Sequence, residues 1–234
     1  MRATKPLLAA AVCATLALSA LPAGGIAALL PPLAQLPELC TFASIGSNTY
    51  LILQPGWTMS YEGEEEGATI TLLITVTTDT QVVDGVTTRV LVEEEREDNH
   101  LVEISRNYVA FCAETGSMFY FGEDVDIYEN NQVVSHDGTW HAGEGGARPG
   151  VLMPASPMVG TAYFQELAPP IAMDYAIVEA TDETTTVPAG TFTGVLHTLD
   201  GTPLEPALPE EKWYAPGIGL IIDPPVELVS YGFR

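Results

Sequence analysis

The chain has 234 residues, with 8 basic and 31 acidic side chains and a net charge of −23. That imbalance excludes recognition of nucleic acid and other polyanions, which needs a basic surface, and adhesion to anionic lipid headgroups. A hydrophobic content of 47% excludes wholesale disorder, and the about 200 residues beyond a leader suffice for one domain with a real core.

The first residues read as that leader. Arg2 and Lys5 supply a basic start, and no charge follows until Glu38. The Ala/Leu-rich run 7–20 ends in Ala17-Leu18-Ser19-Ala20, a small-residue cleavage pattern. Residues 1–30 are therefore expected to be a secretory signal, 31–49 an extended N-terminal segment and 50–234 a single β domain, secreted or periplasmic. A retained anchor is the alternative, but Pro22, Gly24, Gly25, Pro31 and Pro32 interrupt the apolar stretch. Glu38 disfavours acylation of Cys40. Cys13 leaves with the leader. Cys40 and Cys112 then form one disulfide in an oxidising compartment, or remain two buried thiols.

From residue 69 the pattern is that of strands. Ile70, Leu72, Ile74 and Val76 alternate with mostly polar neighbours, as do Val90 and Val92, then Val102, Ile104, Tyr108 and Ala110, then Phe119, Phe121, Val125 and Ile127. Period-two alternation gives each strand one buried face. Asp84-Gly85, Asp98-Asn99, Thr115-Gly116 and Asn130-Asn131 supply turn chemistry between them. If Cys112 and Ser117 close a four-residue loop, Ala110 faces Phe119, Tyr108 faces Phe121, Arg106 faces Glu123 and Ile104 faces Val125. Every inward residue then meets an inward residue.

After His136 the stretch 137–160 holds six glycines and three prolines, and is expected to be a long covering loop. Strands resume near 161–166, 173–180, 191–198, 212–214, 219–222 and 226–231. The predicted fold is all-β: an antiparallel meander forming a strongly curved sheet or incomplete barrel with a long Gly/Pro-rich loop.

Several stretches carry a resemblance: 54–57 (QPGW), 119–126 (FYFGEDVD), 133–136 (VVSH), 149–154 (PGVLMP), 187–192 (VPAGTF), 202–206 (TPLEP) and 214–220 (YAPGIGL). Together they resemble a family of uncharacterised exported bacterial β-rich proteins, over roughly residues 51–233. The last-but-two and last of these phrases are also similar to ones in exported half-open barrels such as lipoprotein carriers. The resemblance implies a β-rich fold and no particular activity. It also implies a cysteine where this chain has Val195, which leaves Cys40 as the candidate partner of Cys112.

No nucleophile elbow, zinc-protease helix motif, P-loop or calcium-loop spacing is present. A carboxylate between Phe121 and Val125 is costly to bury unpaired, so Arg106 opposite Glu123 is the expected internal ion pair. With a two-residue turn at Asn130-Asn131, His136 joins them from the next strand. The candidate catalytic set is thus Glu123, His136 and Arg106, with Tyr108, Trp140 and His141 as ligand contacts. The bland alternative is an inert polar cluster that sets register. His136, Asp137, His141 and Glu144 are zinc-type ligands in no standard spacing, so no metal or cofactor is expected. Asp124 and Asp126 are expected on a solvated face. The expected function is binding of a small amphiphile or glycan in an apolar cavity. The alternatives are an extracellular lyase or hydrolase working through Glu123 and His136, and a structural envelope module without a site.

Overall fold

The computed structural model describes residues 40–204 and 208–234, so the expected signal and residues 31–39 of the 31–49 segment lie outside the described residues. Among the described residues, eighteen strands follow in chain order. The first three are short: β1 (Phe42–Ala43), β2 (Gly46–Ser47) and β3 (Ile52–Leu53). Five long ones form a meander: β4 (Trp57–Glu65), β5 (Ala68–Val83), β6 (Val86–Glu97), β7 (His100–Cys112) and β8 (Met118–Glu129). Then come β9 (Gln132–Ser135), β10 (Trp140–His141), β11 (Arg148–Met153), β12 (Ala162–Phe164) and β13 (Glu166–Leu167). The C-terminal part is β14 (Tyr175–Val187), β15 (Gly190–Gly201), β16 (Glu210–Ala215), β17 (Gly219–Asp223) and β18 (Val226–Phe233).

The main sheet runs β12-β14-β15-β16-β17-β18-β4-β5-β6-β7-β8-β11-β13, antiparallel throughout. It is a nearly closed, barrel-like sheet with one unsealed seam, as the strand pattern predicts. Residues 162–167 bridge that seam. β12 pairs with β14, β13 pairs with β11, and the chain changes partner at Gln165. Gly150 lies beneath this crossing, where an added Cβ would stand 2.1 Å from the Gln165 carbonyl oxygen. Only glycine permits that approach.

Tight turns set the meander. Glu66-Gly67, Asp84-Gly85, Asp98-Asn99 and Asn130-Asn131 all have positive φ at both positions, the geometry of two-residue turns whose twist matches the flanking strands. The expected covering loop is in part sheet: β10 and β11 both pair with the free edge of β8.

The predicted register between β7 and β8 holds only next to the turn. Ala110 does face Phe119, and Val109 faces Tyr120. A bulge then intervenes, and beyond it Asn107 faces Glu123 and Arg106 faces Asp124. Gly122 makes the bulge. Its φ is 131°, and a Cβ there would lie 2.2 Å from the Trp140 carbonyl oxygen. One extra residue turns every later side chain to the other face. The expected Arg106–Glu123 pair is therefore overturned.

The N-terminal segment closes one end. Cys40 is bonded to Cys112, with Cα atoms 5.6 Å apart, and β1 pairs with the end of β7. Beyond it the β2–β3 hairpin carries Leu53, fully buried, into the mouth. Met59, Ile74, Val76, Leu91 and Leu220 pack beneath this cap.

Candidate functional site

Register rows show what lines the lumen. Tyr61, Leu72, Glu95, Glu103 and Ile127 lie side by side across β4 to β8. The next row runs Met59, Ile74, Glu93, Ser105 and Val125. The third is Val76, Leu91, Asn107, Glu123 and Trp140. From the opposite wall come Asp200 of β15, Lys212 of β16 and Asp223 of β17, all buried, and Glu166 of β13. The lumen is thus apolar under the cap and acidic toward the far end.

Lys212 is buried among these acids and bonds Asp223 at 3.1 Å. Burial disfavours its charge, but Asp223 and Asp200 more than offset that and keep it protonated. Burial pushes Asp223 up to about 6 despite the ammonium beside it. Asp200 accepts from Thr198 at 2.6 Å, and its carboxyl is raised by burial against the pull of Lys212.

At the remaining carboxyls burial and neighbouring acids dominate, and at Glu166 the pull of Lys212 offsets them only in part. Burial, then Glu95 and Glu93, raise Glu103 to about 9. Burial, then Asp223 and Glu65, raise Glu95 to about 7. Glu123 is raised well above the carboxylate range by burial and by Glu103 and Glu93. Glu166 is raised in the same way by burial, Asp174 and Glu123. One oxygen of each of Glu103, Glu123 and Glu166 is buried with no hydrogen-bond partner, as are Gln165 Oε1 and the Tyr163 hydroxyl.

Beside Glu123, Asn107 Nδ2 donates to Ser105 Oγ, and Asn107 Oδ1 accepts from the Tyr120 hydroxyl. The Tyr120 phenol also favours the charged form of Glu123, but burial and the neighbouring acids outweigh it.

Above this layer lies a cavity of about 50 Å³, room for a few waters or a short alkyl group. Its walls include Tyr50, Ile52, Met59, Ile74 and Leu220, and Glu93 is the one carboxylate among the lining residues.

The sequence-predicted set is divided between the two faces of the sheet. Glu123 is in the lumen, 1% exposed. Arg106 is outside, its side chain 39% exposed, and bonds Asp126 at 2.9 Å. His136 is outside too, its side chain 68% exposed, with Nδ1 2.9 Å from Asp126 Oδ1. The two-residue turn forms as expected, but the register shifts again between β8 and β9, and that shift turns His136 outward. Glu123, His136 and Arg106 are not brought together. Tyr108 and His141 do meet: both bond Asp124, His141 at 3.0 Å, on the outer face. The Tyr108 phenol is raised by burial and by that bond to Asp124. Trp140 points inward instead, where its indole N–H donates to Glu166 Oε1 at 3.4 Å. His141 Nδ1 stands 3.8 Å from Glu144. Among the described residues, only Cys40, Cys112 and Glu114 cluster as metal ligands would, and the two sulfurs are bonded to each other.

Sequence reasoning missed Glu93, Glu103, Glu166, Lys212 and Asp223. One signal was present. Glu103, Ser105 and Asn107 alternate as regularly as Val102 and Ile104 do, but apolarity alone favours the other row as the inner one. Comparison with family models, curated proteins and solved structures found no match.

Proposed function

We propose that this is an exported binding protein that takes a small cationic amphiphile into the mouth of the barrel under the β2–β3 cap. The observation that carries the reading is the cavity itself, apolar on its walls with the Glu93 carboxyl in its lining. Apolar walls with one placed polar group are what orient a small ligand. The net charge of −23 draws cations toward the surface and repels anions of the same size. Export is supported by the leader-like run 7–20 and agrees with the Cys40–Cys112 bond. An acid–base mechanism through Glu123, His136 and Arg106 lacks the proximity it would require.

The test uses butylamine, butanol and butyrate, titrated against methyl-labelled protein. Shifts at Met59, Ile74 and Leu220 are expected with butylamine at the lowest concentration, then butanol, and least with butyrate. Glu93→Gln is expected to remove the preference of amine over alcohol. Absence of methyl shifts with all three would overturn the reading.

A further inference from the structure

We infer that the barrel is shut by protons: the lumen carboxyls hold the seam at 162–167 closed while they are neutral, and their ionisation opens it. This goes beyond ligand binding and does not depend on it. Three features of the geometry carry it.

First, Glu123 of β8 is 1% exposed, and its Oε2 is buried with no hydrogen-bond partner, which disfavours its charged form. Second, the seam segment contains Glu166, which is 1% exposed. Its Oε1 takes the Trp140 N–H, and its Oε2 has no hydrogen-bond partner. The charged and titratable groups facing it are Glu123 of β8, Asp174 ahead of β14 and Lys212 of β16. Those facing Glu123 add Glu103 of β7 and Glu93 of β6. Those facing Glu103 are Glu95 and Glu93 of β6. On the far wall, Lys212 is shared with Asp223 of β17 and Asp200 of β15, with Glu210 beside it. The other buried cation, Arg89, is bound by the carbonyls of Ser44, Thr78 and Asp79 near the cap. One ammonium thus serves an interior where several carboxyls would repel if ionised. Third, the seam is closed by short strands. It rests on the three-residue β12 and the two-residue β13, whereas the other walls of the acidic zone are strands of five to thirteen residues.

The raised carboxyls agree in sign. A carboxyl raised in the folded state binds more protons folded than unfolded, so it favours the closed form at low pH. That contribution is lost as pH climbs from the ordinary carboxylate range toward about 9, where Glu103 titrates.

Amide hydrogen exchange on the unliganded full-length mature protein tests this, after correction for the intrinsic rate at each pH. Protection of 162–167 is expected to fall by about tenfold or more between about pH 6 and about pH 9, while 68–97 changes little. In Glu166→Gln, and separately in Glu123→Gln, the fall is expected to shrink to less than about threefold, because the amide stays neutral. Should one variant not fold, the other and the wild-type profile still decide. Constant protection at 162–167 in the wild type, or an undiminished fall in a folded variant, or an equal fall across 68–97, would each overturn the proposal. No ligand is present, so failure of amine binding and failure of the proton latch are separate results.

Discussion

At residue scale, the telling side chain is Lys212. A lysine 3% exposed is tolerable only with partners, and Asp223 meets it at 3.1 Å. Removing one member leaves the other charge buried. Lys212→Met is therefore expected to cost about 3–5 kcal/mol in urea unfolding at pH 7. Asp223→Asn in the Lys212→Met background is expected to recover part of that loss, because the carboxyl that bonds Lys212 is then neutral while Asp200 remains. A double variant as unstable as the single one would show that the pair does not act as a unit. Little of this was legible beforehand. Lys212 follows Glu210 and Glu211 directly and precedes Trp213, which reads equally well as a solvated strand face.

At element scale, the strands and turns were legible and the faces were not. Alternation located β5 to β8, strand-like stretches located β14 to β18, and Asp84-Gly85, Asp98-Asn99 and Asn130-Asn131 marked the reversals, because those features are local. Which face turns inward depends on bulges. Gly122 could have been suspected as one, since a glycine inside a strand often marks a bulge or a close approach. The shift at β9 had no such marker. Together the two placed Arg106 and His136 outside and left Glu123 within. The bulge itself is open to test. Gly122→Ala puts a methyl 2.2 Å from the Trp140 carbonyl at a φ of 131°, so β10 must leave β8 or the bulge must move. Thermal unfolding is expected to show a loss of about 2–4 kcal/mol, well above what an exposed strand glycine costs. A loss below about 1 kcal/mol would mean that the edge of β8 adapts freely.

At the scale of the whole molecule, a curved sheet was the expected answer to ten or so strands in one chain, and a nearly closed barrel is what they build. The departure is in its filling. Small barrels fill with apolar side chains, and this one does so only beneath the cap. Its other half holds Glu103, Glu123, Glu166, Asp200 and Asp223 around one lysine, an arrangement no local pattern reveals because it is assembled from six strands. Those carboxyls decide how stability depends on pH, and they separate a proton-closed container from an ordinary packed core. The most direct measurement is a carbon-13 titration of the glutamate side-chain carboxyls, with Glu103, Glu123 and Glu166 assigned through their glutamine variants. Glu103 is expected to titrate near pH 9, and Glu123 and Glu166 well above the ordinary carboxylate range. Midpoints for all three between about 4 and 5, the range of solvated glutamates, would contradict the neutral-acid lumen on which the latch depends.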